Sequence, residues 1–145
     1  MKVAIGCDHG GIVLKEACIE ALRELNIDFT DEGTYTEESV DYPDYAEKVC
    51  KKVQSGEADK GILLCGTGIG ISIAANKMKG IRCAHVTDLF CAQMAVEHNN
   101  ANVLAMGGRI TSPENAKEFV KKFFTSEFAG GRHQRRIDKI MALEK

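Results

Sequence analysis

The chain has 145 residues, of which 44% are hydrophobic and 28% are charged. A chain of this length buries about two-thirds of its unfolded surface, so a single domain over residues 1–145 is predicted, and it needs no disulfides to be stable. Lys and Arg number 19 against 21 Asp and Glu, a net charge of −2. This balance argues against nucleic acid or an anionic membrane as a partner.

The first half of the chain alternates short β-rich runs with helical patterns. Strands are predicted over residues 3–7, 27–31 and 61–65. Each is followed by a predicted helix, over residues 12–25, 42–55 and 71–78 respectively. The third strand, Gly61-Ile62-Leu63-Leu64-Cys65, is apolar almost throughout. Such a run is typical of a central parallel strand that is covered on both faces.

The second half continues the same alternation. Strands are predicted over residues 81–86 and 103–107. Helices are predicted over residues 89–98, from Pro113 and, as the last element, from about Arg132. Strands that alternate with helices predict an α/β protein with helices on both faces of a parallel sheet. The predicted fold is therefore a three-layer αβα Rossmann-like fold with a five-stranded parallel sheet.

Polar or glycine-rich residues follow several predicted strands at their carboxyl ends. They are Asp8-His9, the loop Cys65-Gly66-Thr67-Gly68-Ile69-Gly70, Thr87-Asp88 and Gly107-Gly108-Arg109. Ligands of parallel α/β sheets bind beyond the carboxyl ends of the strands. These groups are therefore expected to meet in one site.

The loop of residues 65–70 leads from a strand into a helix. Its glycines let the backbone approach a ligand, and its N–H groups can hold an anion or an oxygen that gains negative charge. The same dipoles favour a Cys65 thiolate, a base or nucleophile with the Thr67 hydroxyl beside it. Alternatively, Cys65 is a core cysteine and the glycines only permit close packing of the helix on the sheet.

Known nucleotide and phosphate motifs fail at a required residue. The dinucleotide pattern G-x-G-x-x-G has Ile71 in place of its last glycine, and no Gly-Lys-Ser/Thr follows the loop. The Cys-x5-Arg pattern of low-molecular-weight phosphatases would need arginine where Val13 and Ile71 stand. No His, Cys or carboxylate pair has a metal-ligand spacing, so no cofactor and no metal are predicted.

Asp8 and the histidines have structural alternatives to a catalytic role. Asp8-His9 could cap the first helix, which is compatible with ligand contact. His98 lies at the predicted C-terminal end of a helix, where the dipole favours a cation. His85 lies inside a predicted strand and His133 inside a basic cluster, so neither has a predicted catalytic role.

Arg132 and Arg136 lie at the start of the last predicted helix, where cations oppose the helix dipole. Because they are four residues apart they share a face, and they could clamp a phosphate with Arg109 as a third ligand. The alternative is a solvated basic helix end, which Arg135 on the neighbouring face fits better.

The cysteines and the N-terminus indicate the compartment. Six cysteines include no C-x-x-C pair, and only Cys7 and Cys65 end strand-like runs beside glycine. No apolar run approaches the roughly 20 residues that cross a bilayer. The apolar run at the N-terminus ends at Gly6, which is too early for the hydrophobic core of a signal peptide. A cytoplasmic location is therefore predicted.

Four segments of the chain carry a family resemblance. They read G-C-D-H-x-G at 6–11, G-I-L-L-C-G-T-G-I-G-I-S-I-A-A-N-K at 61–77, H-N-N-A-N-V-L-A-M-G-G-R at 98–109 and G-G-R-H-Q-R-R-I at 130–137. Together they resemble the B-type ribose-5-phosphate isomerase family, which also includes galactose-6-phosphate and allose-6-phosphate isomerases. The match covers essentially the whole chain, and its second segment is the most specific.

The resemblance implies interconversion of D-ribose 5-phosphate and D-ribulose 5-phosphate through ring opening and an enediolate, in the non-oxidative pentose phosphate pathway. It implies that Cys65 is the base and that the amides of residues 66–70 hold the charged oxygen. His98 would open the furanose ring with the help of Asp8 and Thr67. The implied substrate-binding residues are His9, Arg109, Arg132 and Arg136 for the phosphate and Asn99 for sugar hydroxyls.

The resemblance also implies a homodimer whose sites draw residues from both chains, with further assembly into a tetramer left open. The segment around His98 and Asn99 is expected to come from the partner. Some relatives use a glutamate as the base, but this chain has Cys65 and no obvious acidic substitute in the matched stretch. Two alternatives remain: an isomerase of another sugar phosphate, and a non-catalytic nucleotide-binding α/β module.

Overall fold

Five parallel strands form the sheet of the computed structural model, which describes residues 1–144. The order across the sheet is β2-β1-β3-β5-β4, and every neighbouring pair is parallel. The strands are β1 (Lys2–Cys7), β2 (Asp28–Asp31), β3 (Lys60–Cys65), β4 (Cys83–His85) and β5 (Val103–Gly107). This sheet confirms the predicted fold class, and it adds the strand order, which the residues alone do not give.

Helices cover both faces of the sheet. They are α1 (Ile12–Glu24), α2 (Tyr42–Ser55), α3 (Ile69–Asn76), α4 (Leu89–Glu97), α5 (Pro113–Thr125) and α6 (Arg132–Met141). One apolar core joins the sheet to α1, α4 and α5, and a second joins its other face to α2 and α3. In α6 only Ile137 is buried, so this last helix belongs to neither layer.

The central strand β3 shows why its sequence is apolar throughout. Ile62 and Leu64 enter the core under α1 and α5, whereas Leu63 and Cys65 enter the core under α2 and α3. Successive side chains of a strand point to opposite faces, and here both faces are covered. Cys65 therefore lies on the side of the sheet where α3 begins.

Two predicted elements have different bounds in the structure. The helix predicted over 71–78 begins and ends two residues earlier, because Gly68 adopts a φ of 84° and starts α3 directly after it. The strand predicted over 81–86 contains only Cys83–His85. The Asn102 side chain accepts the Arg82 amide hydrogen at 2.8 Å, so this N–H does not take part in the strand ladder.

The strand order fixes where the chain reverses direction across the sheet. From β1 the chain moves outward to β2 on one side, and β3 then pairs with β1 on the other side. A crevice at such a reversal, beyond the carboxyl ends of the strands, is the usual ligand site of this architecture. None of the helices in residues 1–144 is both long and apolar enough to traverse a bilayer.

Candidate active site

Backbone hydrogen bonds tie together the loops that follow β1, β3 and β5. Asp8 donates its amide hydrogen to the Leu64 carbonyl at 3.0 Å, and Arg109 donates to the Gly66 carbonyl at 2.8 Å. Gly108 donates to the Cys65 carbonyl at 2.9 Å. These loops, residues 8–11, 65–70 and 107–109, are called the carboxyl edge below. Asp8, Cys65 and Arg109 are thus brought together as the sequence predicts.

Cys65 is buried, with 4% of its surface exposed, and it packs among apolar side chains. Its sulfur nevertheless has a polar partner, because the Gly68 amide donates a hydrogen bond to Sγ at 3.1 Å. An N–H donor directed at sulfur stabilises negative charge on it. The side chain therefore packs in the core while its sulfur contacts the glycine loop, and the role of Cys65 as a base stays a prediction.

Thr67 is held at its backbone and through its hydroxyl. Its Oγ1 accepts the Ile69 amide hydrogen at 3.2 Å, and its carbonyl oxygen lies 2.8 Å from His85 Nε2. The backbone of Gly107 lies so close that a Cβ there would be 2.3 Å from the Thr67 carbonyl carbon. His85, which has no predicted role, therefore braces the glycine loop. Its position at the end of β4 is the signal that could have found it.

Asp8 is 95% buried because it bonds to its own turn. Its carboxylate accepts the amide hydrogens of Gly10 at 2.8 Å and Gly11 at 3.0 Å. The N-cap of α1 is Gly11, which has no side-chain cap. The structural alternative, in which Asp8-His9 caps the first helix, is therefore wrong in that form: Asp8 closes the turn that leads into the helix.

Some polar groups of His9 and Arg109 have no hydrogen-bond partner within residues 1–144. His9 Nδ1 accepts the Val40 amide hydrogen at 3.2 Å, which leaves Nε2 available. The exposed Arg109 guanidinium lies against Gly66, with Nη1 2.9 Å from the point where a Cβ would stand. The ring of Tyr42 lies against Gly70 in the same way; no sequence pattern singles out Tyr42, since it reads as the start of a helix.

The remaining predicted site residues lie at the opposite end of the sheet. His98 and Asn99 directly follow α4, and Arg132 and Arg136 lie in the first half of α6. These four residues are called the amino edge below. Helix α4 returns from the carboxyl end of β4, and the Asn100 carbonyl just beyond it accepts a hydrogen bond at 3.0 Å from Arg82, which precedes β4. These residues therefore lie near the amino ends of β4 and β5.

Helix α6 joins the amino edge through few contacts. The His133 ring stacks on the His98 ring with centroids 4.2 Å apart. Burial, followed by the charges of His98, Arg132 and Arg136, lowers the pKa of His133. Among residues 1–144, no ion pair involves Arg132 or Arg136, so both exposed guanidinium groups remain available for an anion.

One chain does not bring the carboxyl and amino edges together. Strand β3 has six residues, so at about 3.3 Å per residue its two ends lie about 17 Å apart. Within a single chain, Arg109 therefore cannot join Arg132 and Arg136 as a third phosphate ligand. A cavity of about 660 Å³ lies beside Asn99 at the amino edge and is lined by Arg82 and Leu143; Cys65 is not among its lining residues.

Apolar side chains surround the carboxyl edge and are exposed to solvent. They come from the first two turns of α1, α3 and α4 and from the loop after β5: Val13, Ile69, Ile73, Leu89, Phe90 and Ile110. Phe90 is 69% exposed. A group of exposed apolar side chains on one side of a protein marks a contact surface.

Cys7 ends the neighbouring strand β1, but its environment differs from that of Cys65. Its side chain is fully buried and donates a hydrogen bond to the Thr34 carbonyl at 3.8 Å. Burial raises the pKa of the Cys7 thiol to about 11. Cys7 is therefore a protonated packing residue. Within residues 1–144, no three His, Cys, Asp or Glu side chains converge as a metal site requires.

Comparison with known proteins identifies the family. Residues 3–140 match the family model of the ribose/galactose isomerases. The chain is similar to ribose-5-phosphate isomerase B of Escherichia coli, at 46% identity over 99% of this chain and 97% of that protein. It is 40% identical to a D-erythrulose-4-phosphate isomerase of Pectobacterium atrosepticum, over 97% of this chain and 93% of the relative.

A solved structure agrees over the same length. The structure of ribose-5-phosphate isomerase B from Clostridium thermocellum superimposes with a TM-score of 0.96, at 49% sequence identity and with 99% of this chain and 97% of that one covered. The family model and the full-length relatives leave the nucleotide-binding module without support. The chain therefore belongs to the ribose/galactose isomerase family and is an isomerase.

Proposed function

We propose that this isomerase interconverts D-ribose 5-phosphate and D-ribulose 5-phosphate, with Cys65 as the base. The hydrogen bond from the Gly68 amide to Cys65 Sγ, 3.1 Å long, is the observation that carries the proposal. This amide of the glycine loop supports a negative charge on the sulfur. The name of the E. coli relative, at 46% identity over nearly the full length, supports the choice of substrate.

In the proposed reaction the sugar ring opens first, with His98 as the acid/base and Asp8 and Thr67 assisting. The Cys65 thiolate then takes the proton from C2, the C–H electron pair forms the C1=C2 double bond, and O1 gains negative charge. A proton moves from O2 to O1, and the first proton returns from sulfur to C1, which gives the ketose. The amides of residues 66–70 would stabilise the charged oxygen of the enediolate.

We infer that the complete site needs two chains. The carboxyl edge holds Cys65, Asp8, Thr67, His9 and Arg109, whereas the ring-opening histidine and two phosphate arginines lie at the opposite end of the sheet, about 17 Å away. In a twofold dimer, each chain can supply its amino edge to the carboxyl edge of the other. The exposed apolar residues around the carboxyl edge support this contact. The prediction of an inactive monomer follows, and a tetramer remains a prediction.

Turnover of the Cys65→Ala variant tests the proposed base. We expect kcat with ribose 5-phosphate to fall about 10³-fold, the size of a lost general base, while the thermal unfolding midpoint stays near that of the wild type. Cys50→Ala is the matched control, because Cys50 is a buried cysteine on the same face of the sheet and should leave kcat unchanged. Retained turnover in Cys65→Ala would reject this base.

Substrate comparison tests the named sugar. The wild type, assayed with a chelator present, should have a higher kcat/KM for ribose 5-phosphate than for allose 6-phosphate or galactose 6-phosphate. D-erythrulose 4-phosphate belongs in the same series because of the Pectobacterium relative. A higher value for any of these would replace the proposed substrate but keep the isomerase chemistry. The pentose phosphate pathway and the cytoplasmic location remain predictions from the sequence.

A further inference from the structure

Lys15 is a buried cation that the proposed reaction does not use. It lies in α1, is 8% exposed, and its ammonium bonds to both Asp31 carboxylate oxygens, at 3.0 Å and 3.2 Å. It also donates to the Thr34 carbonyl. Lysine is almost never buried unless it is paired. Its desolvation is therefore compensated by two residues at the end of β2 and just after it.

Asp31 ends β2, and Thr34 lies near the start of the segment that connects β2 to α2. This segment, residues 32–41, is called the β2–α2 segment below. Its start is also bonded to the end of β1: Cys7 donates to the Gly33 carbonyl at 2.7 Å, and Thr34 donates to the Cys7 carbonyl at 2.8 Å. Tyr35 covers Lys15 from the solvent side, with the ammonium 4.8 Å from the ring centre. Lys15 thus fixes this segment beside the residue that precedes Asp8.

The other end of the β2–α2 segment reaches His9. The Val40 amide donates a hydrogen bond to His9 Nδ1 at 3.2 Å. In a neutral imidazole, a nitrogen that accepts a hydrogen bond carries no proton, so the proton is on Nε2. Ionised phosphate oxygens only accept hydrogen bonds. The Val40 bond therefore selects the tautomer whose free nitrogen can donate to a phosphate.

We propose that Lys15 is a positioning residue for phosphate binding: it anchors the β2–α2 segment, which holds His9 in the tautomer with its proton on Nε2. This inference rests on the proposed role of His9 as a phosphate ligand. Lys15 itself touches neither His9 nor the sulfur of Cys65. Its effect on the reaction passes through the backbone of residues 35–39, which connect Thr34 to Val40.

The Lys15→Met variant tests the proposal with two measurements. The ¹⁵N chemical shifts of His9 report which ring nitrogen carries the proton, and they need no substrate. We expect them to move from the Nε2–H form toward a mixture of both tautomers. In assays with ribose 5-phosphate we expect KM to rise about tenfold, as a weakened bond to a charged group does, with kcat nearly unchanged.

Lys60→Met is the matched control. Lys60 is a half-buried lysine at the amino end of β3, with its ammonium 5.1 Å from the Phe123 ring centre. Lys60→Met likewise exchanges a shielded ammonium for a thioether, and it should leave both the His9 spectrum and KM unchanged. If Lys60→Met raises KM as much as Lys15→Met does, general destabilisation explains the effect and the proposal is overturned.

A second pair of variants tests the last step and does not disturb the buried ion pair. Val40→Pro removes the amide hydrogen, whereas Val40→Ala keeps it. Only Val40→Pro should shift the His9 tautomer and raise KM. An unchanged His9 spectrum in Lys15→Met or in Val40→Pro overturns the proposal. A wild type without turnover of ribose 5-phosphate would instead reject the proposed function, and the spectrum would still decide the role of Lys15.

Discussion

The two edges of the sheet carry the two halves of the predicted site on very different supports. At the carboxyl edge, backbone bonds join three loops, and Asp8 and Cys65 are at least 95% buried. At the amino edge, Arg132 and Arg136 are exposed, and a histidine stack joins α6 to the end of α4. The difference teaches that burial and backbone bonds hold the carboxyl edge rigidly, whereas the amino edge is open to solvent. This contrast supports the proposal that the reaction takes place at the carboxyl edge and that the amino edge is presented to another chain.

The largest expected effect comes from placing a substitution at each edge on a different chain. Cys65→Ala and His98→Ala should each be nearly inactive as a pure protein. After unfolding and refolding together in equal amounts, half of the dimers carry one chain of each kind, and one of the two sites in each is intact. We therefore expect recovery of about a quarter of wild-type activity. Activity that stays at the level of the separate variants would show that each site is made from one chain.

The rigidity of the carboxyl edge predicts a large effect of a small side chain. In Gly107→Ala the new Cβ would stand 2.3 Å from the Thr67 backbone, so we expect the free energy of unfolding to fall by about 3 kcal/mol. Gly130→Ala, near the amino edge, meets no atom within 4 Å but has a φ of 68°, and should cost about 1 kcal/mol. Urea denaturation measures both. Equal costs would contradict the difference in packing.

The exposure of the amino edge predicts an effect on binding without an effect on folding. Arg132→Ala should lower kcat/KM for ribose 5-phosphate about thirtyfold, about 2 kcal/mol for a lost bond to a charged group. Its thermal midpoint should stay equal or rise, because a cation leaves a helix N-terminus. Arg135→Ala is the control on the neighbouring face. If both variants lose the same activity, the loss reflects general charge and not a phosphate clamp.

The last prediction concerns Cys7, the strand-end cysteine that the proposed reaction does not use. Because burial raises the pKa of Cys7 from 9.0 to about 11, the folded protein holds this proton more tightly than the unfolded chain does. That contribution to stability is complete below pH 9 and is lost as the pH rises toward 11. Urea denaturation of Cys7→Ala should therefore show a shallower loss of stability between pH 9 and 11 than the wild type. Identical slopes would contradict the burial of the Cys7 thiol.

Much of the fold could be predicted from local patterns. The alternation of strand and helix periodicity predicted all five strands and six helices. Because residues at the carboxyl ends of parallel strands meet at one edge of the sheet, Asp8, Cys65 and Arg109 were also grouped correctly. The errors lie where one residue changes the local geometry. Gly68 with its positive φ starts α3 two residues early, and the Asn102 side chain takes the Arg82 amide out of β4.

Contacts between distant parts of the chain could not be predicted. His85 reaches the Thr67 carbonyl across 18 residues, and Val40 reaches His9 across 31. Neither contact leaves a trace in hydrophobic periodicity or in a short motif, because one partner is a backbone group that nearly every residue type carries. Lys15 likewise reads as an ordinary helix lysine until its burial is known.

The sequence by itself determined the class of fold, the loop that follows Cys65 and, through its motifs, the family. These features are local, since strand and helix periods and glycine loops are set by neighbouring residues. Only the tertiary structure decided that the residues around His98 and Arg132 lie at the far end of the sheet from Cys65. That outcome depends on the course of α4 and on the docking of α6, which are set by packing between segments far apart in the chain.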